Sequence, residues 1–203
     1  MTTLLLIRHG HTDAVGAWMA GYQAVPLNDA GCAQAARLVE RLAGRQVDAI
    51  YSSPLDRARQ TAEPLAAARG LPVLDLPELA EFRMGEWDGK RFADLDATDE
   101  RWRRFNDLRS LTRAPGGELM VEVQARMAAG LVRVVEAHPG GTLAVFSHAD
   151  PIRAAVLYFT GMPIDFFHRL DVAPASISAI AFRAGGPALV TLNNTGSFAY
   201  RPR

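Results

Sequence analysis

The chain has 203 residues, with 22 basic and 22 acidic side chains and no net charge. No global field draws it to nucleic acid or to an anionic membrane, so attraction for an anionic ligand has to be local. Its length suits one α/β domain, 1–203, with a modest insertion and a substantial core. A single cysteine, Cys32, excludes an intramolecular disulfide framework and a cysteine metal cluster. It falls in an alanine-rich helical stretch, where a packed, inert thiol is expected. No apolar run approaches a membrane span, and the opening LLLI lacks the basic flank and length of a signal peptide. A soluble, cytoplasmic protein is expected.

In chain order, LLLI (4–7) reads as a buried strand. NDAGCAQAARLVERLAG follows as a helix with Asn28 at its N-cap and Gly44 at its end. VDAIYSS (47–53) is a second strand. SPLDRARQTAEPLAAARG is a second helix, with Ser53 as N-cap, Pro54 at the first helical position and Gly70 closing it. The stretch from about Gly85 to Gly117 breaks the alternation. It is polar, arginine-rich and helical in pattern, which predicts a small cap insertion at 85–117. Leu119, Val123, Met127 and Leu131 recur at helical spacing within 118–137. TLAVFS (142–147) is a third strand, and SISAIAF (176–182) and ALVTL (188–192) complete a sheet. Strand–helix alternation predicts a mostly parallel central sheet with helices on both faces, a three-layer α/β/α fold.

The strand exits carry the chemistry. The first ends in Arg8-His9, and the second leads to Arg57 on the first turn of a helix, with Thr61 one turn below. The third ends in Ser147-His148, before Asp150-Pro151, which reads as another N-cap and first-turn pair. Ligands of open parallel sheets bind outside the carboxyl ends of the strands, beside helix N-termini that favour anions. Two imidazoles with two guanidiniums make a poor metal site, because arginine repels cations. They make a good phosphate site, because guanidinium matches phosphate oxygens in bidentate geometry.

With these residues in view, the sequence resembles the histidine phosphatase superfamily, also called phosphoglycerate mutase-like. RHGHT (8–12), SSPLDRARQTA (52–62), LAEFRMGEWDG (79–89) and SHADPIRA (147–154) match its motifs in order, and GYQAVPLNDAGCAQA (21–35) keeps its spacing. The resemblance implies phosphoryl transfer through a phosphohistidine on His9. Arg8, Arg57 and His148 would hold the phosphoryl oxygens, and Glu81 would act as general acid and then base. Gly10, Thr12 and Ala149 join the expected phosphate contacts, Gly10 because it lets the backbone come close. Glu81 would need a raised pKa, and the register of Leu79, Gly85 and Trp87 selects it over Glu78 and Glu86. No metal or other cofactor is implied.

Other residues have plainer readings. His11 lines the pocket or faces solvent, and its spacing from His9 makes little of a zinc site. His138 and His168 read as surface or packing residues. Asp150 reads as a cap rather than a catalytic group. Arg101, Arg103, Arg104, Arg109 and Arg113 interleave with Trp102, Phe105 and Leu108. That pattern reads first as an amphipathic helix with a solvated basic face, and second as a cap that meets a second anionic group of the substrate. Trp18, Met19 and Tyr22 are candidates for substrate contact, although packing against the cap explains them equally well.

The function expected is a phosphomonoesterase of histidine acid phosphatase type, metal-independent and acting on a small phosphorylated molecule. A homodimer is compatible with this reading, whereas nucleic-acid and membrane partners are not expected. The alternatives are a phosphoglycerate mutase and a non-catalytic phospho-ligand module. Ala14-Val15 stands where the mutase pattern has Trp-Asn, which favours hydrolysis. Ala149-Asp150 stands where many relatives have glycines, which bears on the phosphate-loop geometry.

Overall fold

Leu4, Leu6 and Ile7 are fully buried because β1 (Thr2–Arg8) runs through the interior of a six-stranded sheet in the computed structural model, which describes residues 1–198. The other strands are β2 (Ala49–Ser52), β3 (Val73–Asp75), β4 (Thr142–Ser147), β5 (Ile177–Arg183) and β6 (Gly186–Asn194). Their order is β3-β2-β4-β1-β5-β6, with the first four mutually parallel, β5 antiparallel to β1 and β6 antiparallel to β5. The mostly parallel sheet is therefore present. Strand β3 escaped the sequence reading because it is three residues long and largely exposed, and so carries no apolar run.

Side chains alternate across β1, and each face buries its own set. Leu5 and Ile7 pack with Leu38 of α1 (Asp29–Arg41) and Ala58, Ala62 and Leu65 of α2 (Asp56–Arg69). Leu4 and Leu6 share a core with two helices on the opposite face. These are α5 (Met120–Ala137) and α6 (Ala149–Thr160), which contribute Val123, Met127, Leu131, Ile152 and Val156. Each such side chain, fully withdrawn from water, contributes roughly 1.5–3 kcal/mol. Between β3 and α5 run two short helices, α3 (Phe92–Thr98) and α4 (Glu100–Asp107), which carry the 85–117 stretch. Trp102 and Phe105 fold back from α4 onto Trp87 and Phe82, with ring centroids 5.2–5.8 Å apart along the Trp87–Trp102–Phe105–Phe82 chain. This aromatic packing ties the stretch to the loop that carries Glu81. None of the helices in the described residues is long and apolar enough to cross a membrane.

Asn28 caps α1 as its side chain promises, accepting from the Gly31 N–H at 3.0 Å, but the helix ends at Arg41 rather than Gly44. Gly70 closes α2 in the left-handed conformation, with φ of 63°. Two cap expectations fail. Helix α2 starts at Asp56 with Leu55 at its N-cap, and α6 starts at Ala149 with His148 there. In each case the expected cap is engaged elsewhere: Ser53 Oγ meets His148 Nε2 at 2.8 Å, and the Asp150 carboxylate accepts from two arginines. Cys32 is exposed on α1 rather than packed.

Parallel register is what levels the strand exits. Arg8 lies opposite Ser147, and Ser52 opposite Phe146. Beyond the paired residues, the His9 N–H donates to Ser147 O and the Ser53 N–H to Phe146 O, each at 2.9 Å. Arg8-His9, Ser53 and His148 therefore emerge at one height on one edge of the sheet.

Candidate active site

A cavity of about 280 Å³ opens at that edge, lined by Arg8, His9, Thr12, Arg57, Glu81 and Ala149 among others. Its floor begins with His9, which is buried. Its Nδ1 sits 2.7 Å from Gly10 O, which fixes the N–H on Nδ1 and leaves the Nε2 lone pair free. Burial, then the positive charges of Arg57 and Arg8, hold its pKa well below the ordinary value, so the ring is neutral at pH 7. Gly10 works differently from the expectation. A Cβ there would lie 2.7 Å from Gly31 O, so the close approach it permits is to α1 rather than to a phosphate. Its N–H donates to Thr61 Oγ1 at 2.9 Å, and Thr61 in turn donates to Arg57 O at 2.6 Å, which locks the His9 turn to α2.

Arg57 is buried at the start of α2 and donates from its two terminal nitrogens to Gln23 O at 3.3 Å and Gly21 O at 2.8 Å. Gly21 has φ of 47°, and a Cβ there would overlap Asp88 Oδ1, so the loop can present this carbonyl only with glycine. Arg8 donates to Val172 O at 2.7 Å. His148 is fully buried, and its ring centroid is 5.2 Å from that of His9. Ser53 Oγ accepts from the Leu55 N–H at 3.3 Å. We assign its hydroxyl proton to His148 Nε2, which leaves Nδ1–H as the donor facing Glu81 Oε2, 3.8 Å away. Burial is also the main cause of the lowered pKa of His148.

Four side-chain polar atoms from this floor are buried without a partner: Arg8 Nε, Arg57 Nε, Thr12 Oγ1 and His148 Nδ1. Buried donors are normally satisfied, and orphaning one costs about 1–3 kcal/mol. Four together describe a socket for an oxygen-rich anion.

Of the three glutamates in the motif, Glu81 lines the cavity. Glu78 pairs with Arg133 and Glu86 with Arg101 at the surface. Burial, reinforced by the negative charge of Asp150, pushes Glu81 up to about 7. Its Oε1 accepts from the Phe82 N–H at 2.9 Å. The loop is pinned from α5 by Arg126, which donates to the carbonyls of Glu78, Ala80 and Glu81 at 2.7–2.9 Å, and by Ser147, which donates to Leu79 O at 2.7 Å. Sequence reasoning missed Arg126, Ser53 and Ser147 as supports. The signal for Arg126 was a charged residue inside the apolar periodicity of α5.

The remaining candidates divide. Ala14, Val15, Trp18 and Met19 line the cavity, whereas the Tyr22 ring lies 4.8 Å from the Arg83 guanidinium. His11 bonds the Asn28 amide at 3.0 Å and is not among the lining residues. His138 meets the Tyr51 hydroxyl at 2.9 Å, as a packing residue would. His168, expected to do the same, lines the cavity. Asp150 and Arg153 line it too, as does Arg109 from the arginine-rich stretch. Arg101 and Arg113 instead form surface pairs with acids.

His9, Glu81 and His148 bring three possible ligand atoms within 4.8 Å of one another. Neutral imidazoles can ligate, but Arg8 and Arg57 act on the same ring and make the potential positive, which disfavours a divalent cation. The donor set suits an anion better.

Known proteins resemble the chain in sequence and in fold. The family model described as histidine phosphatase superfamily (branch 1) matches residues 4–195. The bifunctional protein Rv2228c of Mycobacterium tuberculosis is 35% identical over 199 residues, 96% of this chain and 54% of that protein. The chain thus spans about half the length of that relative. Phosphoserine phosphatase 1 of Hydrogenobacter thermophilus is 30% identical over 198 residues, 96% of this chain and 93% of that protein. The solved structure of Bacillus stearothermophilus YhfR superposes with a TM-score of 0.91 at 28% identity, over 97% of this chain and 99% of that one. On this agreement of fold and sequence, the chain belongs to the histidine phosphatase superfamily and has phosphatases among its relatives.

Proposed function

We propose that the protein is a metal-independent phosphomonoesterase of histidine acid phosphatase type, working through a phosphohistidine on His9. The observation that carries this reading is the set of unpartnered donors on Arg8, Arg57, Thr12 and His148 around a neutral, tautomer-fixed imidazole. His9 Nε2 attacks phosphorus, and the bond from phosphorus to the alcohol oxygen breaks on the opposite side. The guanidiniums and His148 Nδ1–H take up the charge that develops on the phosphoryl oxygens, the kind of interaction that usually dominates such catalysis. Glu81, with its pKa near 7, gives its proton to the departing alkoxide. As a carboxylate it then takes a proton from water. The water oxygen attacks phosphorus, the N–P bond breaks, and inorganic phosphate leaves. A cavity of about 280 Å³ sits at the lower end of small-ligand pockets and suits a metabolite-sized ester.

The test is turnover of p-nitrophenyl phosphate and of a panel of alkyl phosphates after exhaustive chelation, with acid quenching avoided and the protein analysed for acid-labile phosphate. Sustained release of inorganic phosphate with label on His9 supports the reading. Activity lost to EDTA and restored by zinc or magnesium overturns the metal-free mechanism. Transfer of the phosphoryl group to another hydroxyl of the substrate, in place of water, makes the protein a mutase.

A further inference from the structure

Residues 80–84, which carry Glu81, belong to no helix or strand and run between two short helical turns, Pro77–Leu79 and Gly85–Trp87. Sheet register does not place them, so side chains must. Arg126 supplies most of the hold, donating from Nη1 to Glu78 O and Ala80 O at 2.7 Å and from Nη2 to Glu81 O at 2.9 Å. Glu118 takes the rest of the fork. Its Oε1 accepts from Arg126 Nε at 2.9 Å and its Oε2 from Nη2 at 3.1 Å, so all five N–H donors of the guanidinium are engaged. Glu118 also grips the chain beyond the acid: its Oε2 accepts from the Arg83 N–H, and its own N–H donates to Arg83 O, both at 2.9 Å. The pair thus holds the backbone on either side of Glu81. Neither residue lines the cavity.

The charges are matched as well as the geometry. The Arg126 guanidinium sits against the backbone of Glu81, and a lone cation there would favour the carboxylate and weaken the group as a proton donor. Glu118 faces that guanidinium with both oxygens, so the brace as a whole carries no net charge. The other charged and titratable groups around Glu81 are Arg8 at the end of β1, Arg57 on α2, Asp150 and Arg153 on α6, and Arg109 beyond α4, with His148 3.8 Å away and His9 in the same cavity. Burial outweighs the two arginines that oppose it, and Glu81 is held at about 7. An unmatched Arg126 would join Arg8 and Arg57 and work against that balance.

We propose that Arg126 and Glu118 are together positioning residues for the general acid, a charge-cancelled brace that aims the Glu81 carboxyl at the leaving oxygen without setting a positive charge beside it. The inference rests on the phosphomonoesterase reading, in which Glu81 protonates the departing alkoxide. Proton transfer demands close placement, and a misplacement of about 1 Å can cost on the order of 10²-fold in rate. The plainer role, a staple that only stabilises the fold, would lower activity by the same factor on every ester. A positioning role discriminates, because an alkoxide needs the proton and p-nitrophenolate hardly does.

The experiment measures kcat/KM across pH on ethyl phosphate and on p-nitrophenyl phosphate, for the wild type, Arg126→Met, Arg126→Lys and Glu118→Gln. The alkyl-to-aryl ratio does not depend on how much of a sample is folded. Arg126→Met should lower that ratio by about 10- to 100-fold. Arg126→Lys should recover only part of it, since an ammonium cannot span three carbonyls and a carboxylate. Glu118→Gln keeps the shape and removes the negative charge, so the alkaline limb of the ethyl phosphate profile should move down by about 0.5 to 1 pH unit. The ionisation of the substrate is common to all the enzymes and cancels. An unchanged ratio in Arg126→Met overturns the positioning role, and an unmoved limb in Glu118→Gln overturns the charge cancellation. If Arg126→Met does not fold, Arg126→Lys and Glu118→Gln decide by the same two readouts. Glu81→Gln, run in parallel, separates the failures. An unchanged ratio there, in a wild type that turns over, overturns the acid role and the brace with it but leaves the phosphohistidine chemistry standing. Absence of wild-type turnover on both esters overturns the phosphatase reading itself.

Discussion

The floor of the cavity and its far wall are built in different ways. The floor comes from the ends of β1 and β4 and the segment after β2, adjacent strands whose parallel register puts Arg8-His9, Ser53 and His148 at one height. Backbone carbonyls brace its nucleophile and its arginines, as when Gly10 O fixes His9 and Gly21 O holds Arg57, and the Ser53 hydroxyl braces His148. The wall is assembled from distant segments, with Trp18 before α1, Trp102 and Arg109 around α4, Arg153 on α6 and His168 beyond it. What holds the wall is aromatic stacking and long ion pairs rather than a hydrogen-bond ladder. Sheet register leaves little room for the floor to vary, whereas the wall can change without disturbing the sheet. On the proposed function, the floor would carry the chemistry and the wall would face the rest of the substrate.

Breaking the floor at its centre should cost most. His9→Ala removes the nucleophile, and turnover is expected to fall by about 10⁴-fold or more, as in other nucleophile deletions. Substantial residual activity with an unchanged pH profile would show that the imidazole is not the attacking group. The next largest effect is expected at Arg57, whose Nε–H is unpartnered and whose terminal nitrogens are held on two carbonyls. Arg57→Ala should lower kcat by about 10²- to 10³-fold, the range for loss of one preorganised donor. Arg57→Lys should recover little of it, since an ammonium cannot reproduce the braced fork. A change confined to KM would put Arg57 in ground-state binding only.

Glu81 stands where floor and wall meet, and its effect should depend on the leaving group. With alkyl phosphates, which need a proton on the departing oxygen, Glu81→Gln should be strongly impaired. With p-nitrophenyl phosphate the first step should be spared and phosphohistidine should accumulate as a burst, because the second step still lacks its base. In the wild type, kcat for alkyl esters should decline above about pH 7 as Glu81 loses its proton, and this limb should vanish in the variant. Equal losses on alkyl and aryl esters, or a leaving-group effect at Glu78 or Glu86 instead, would move the acid role elsewhere.

The same division explains what could be read from the sequence. Arg8, His9, Arg57 and His148 were legible because each sits next to a strand exit, and local sequence is what places a strand exit. Glu81 was legible only from its spacing to Leu79, Gly85 and Trp87. Its elevated pKa depends on burial and on Asp150, 69 positions away in the chain. Ser53 and Asp150 were misread as caps because both residue types favour helix N-termini. Their side chains found stronger partners in His148, Arg109 and Arg153, which no local pattern announces. Arg109 could not be separated from its four neighbours by periodicity, since its position between Phe105 and Phe167 is made by tertiary packing. Short, exposed β3 was lost for want of an apolar signature.

The smallest effect is on stability, and it turns on opposite signs within one floor. His9 and His148 have lowered pKa values in the fold, so between the ordinary histidine pKa of about 6.5 and their folded values the unfolded chain binds two protons that the native state refuses. Acidification through this window therefore destabilises the fold. Glu81 does the reverse. Its pKa is raised from 4.5 to about 7, so between those values the native state holds a proton that the unfolded chain releases, and acidification stabilises the fold. Just below the ordinary histidine pKa the two histidines outweigh the single glutamate, and stability should fall on acidification. Glu81→Gln removes the opposing contribution. Its denaturant midpoint should thus fall more steeply than that of the wild type between pH 7 and 5, by about one further proton in the slope. Carboxylates elsewhere titrate identically in both proteins and cancel in the comparison. Parallel midpoint curves for the two proteins would show that Glu81 is already ionised in the native state at pH 5, and would remove the basis for its service as an acid.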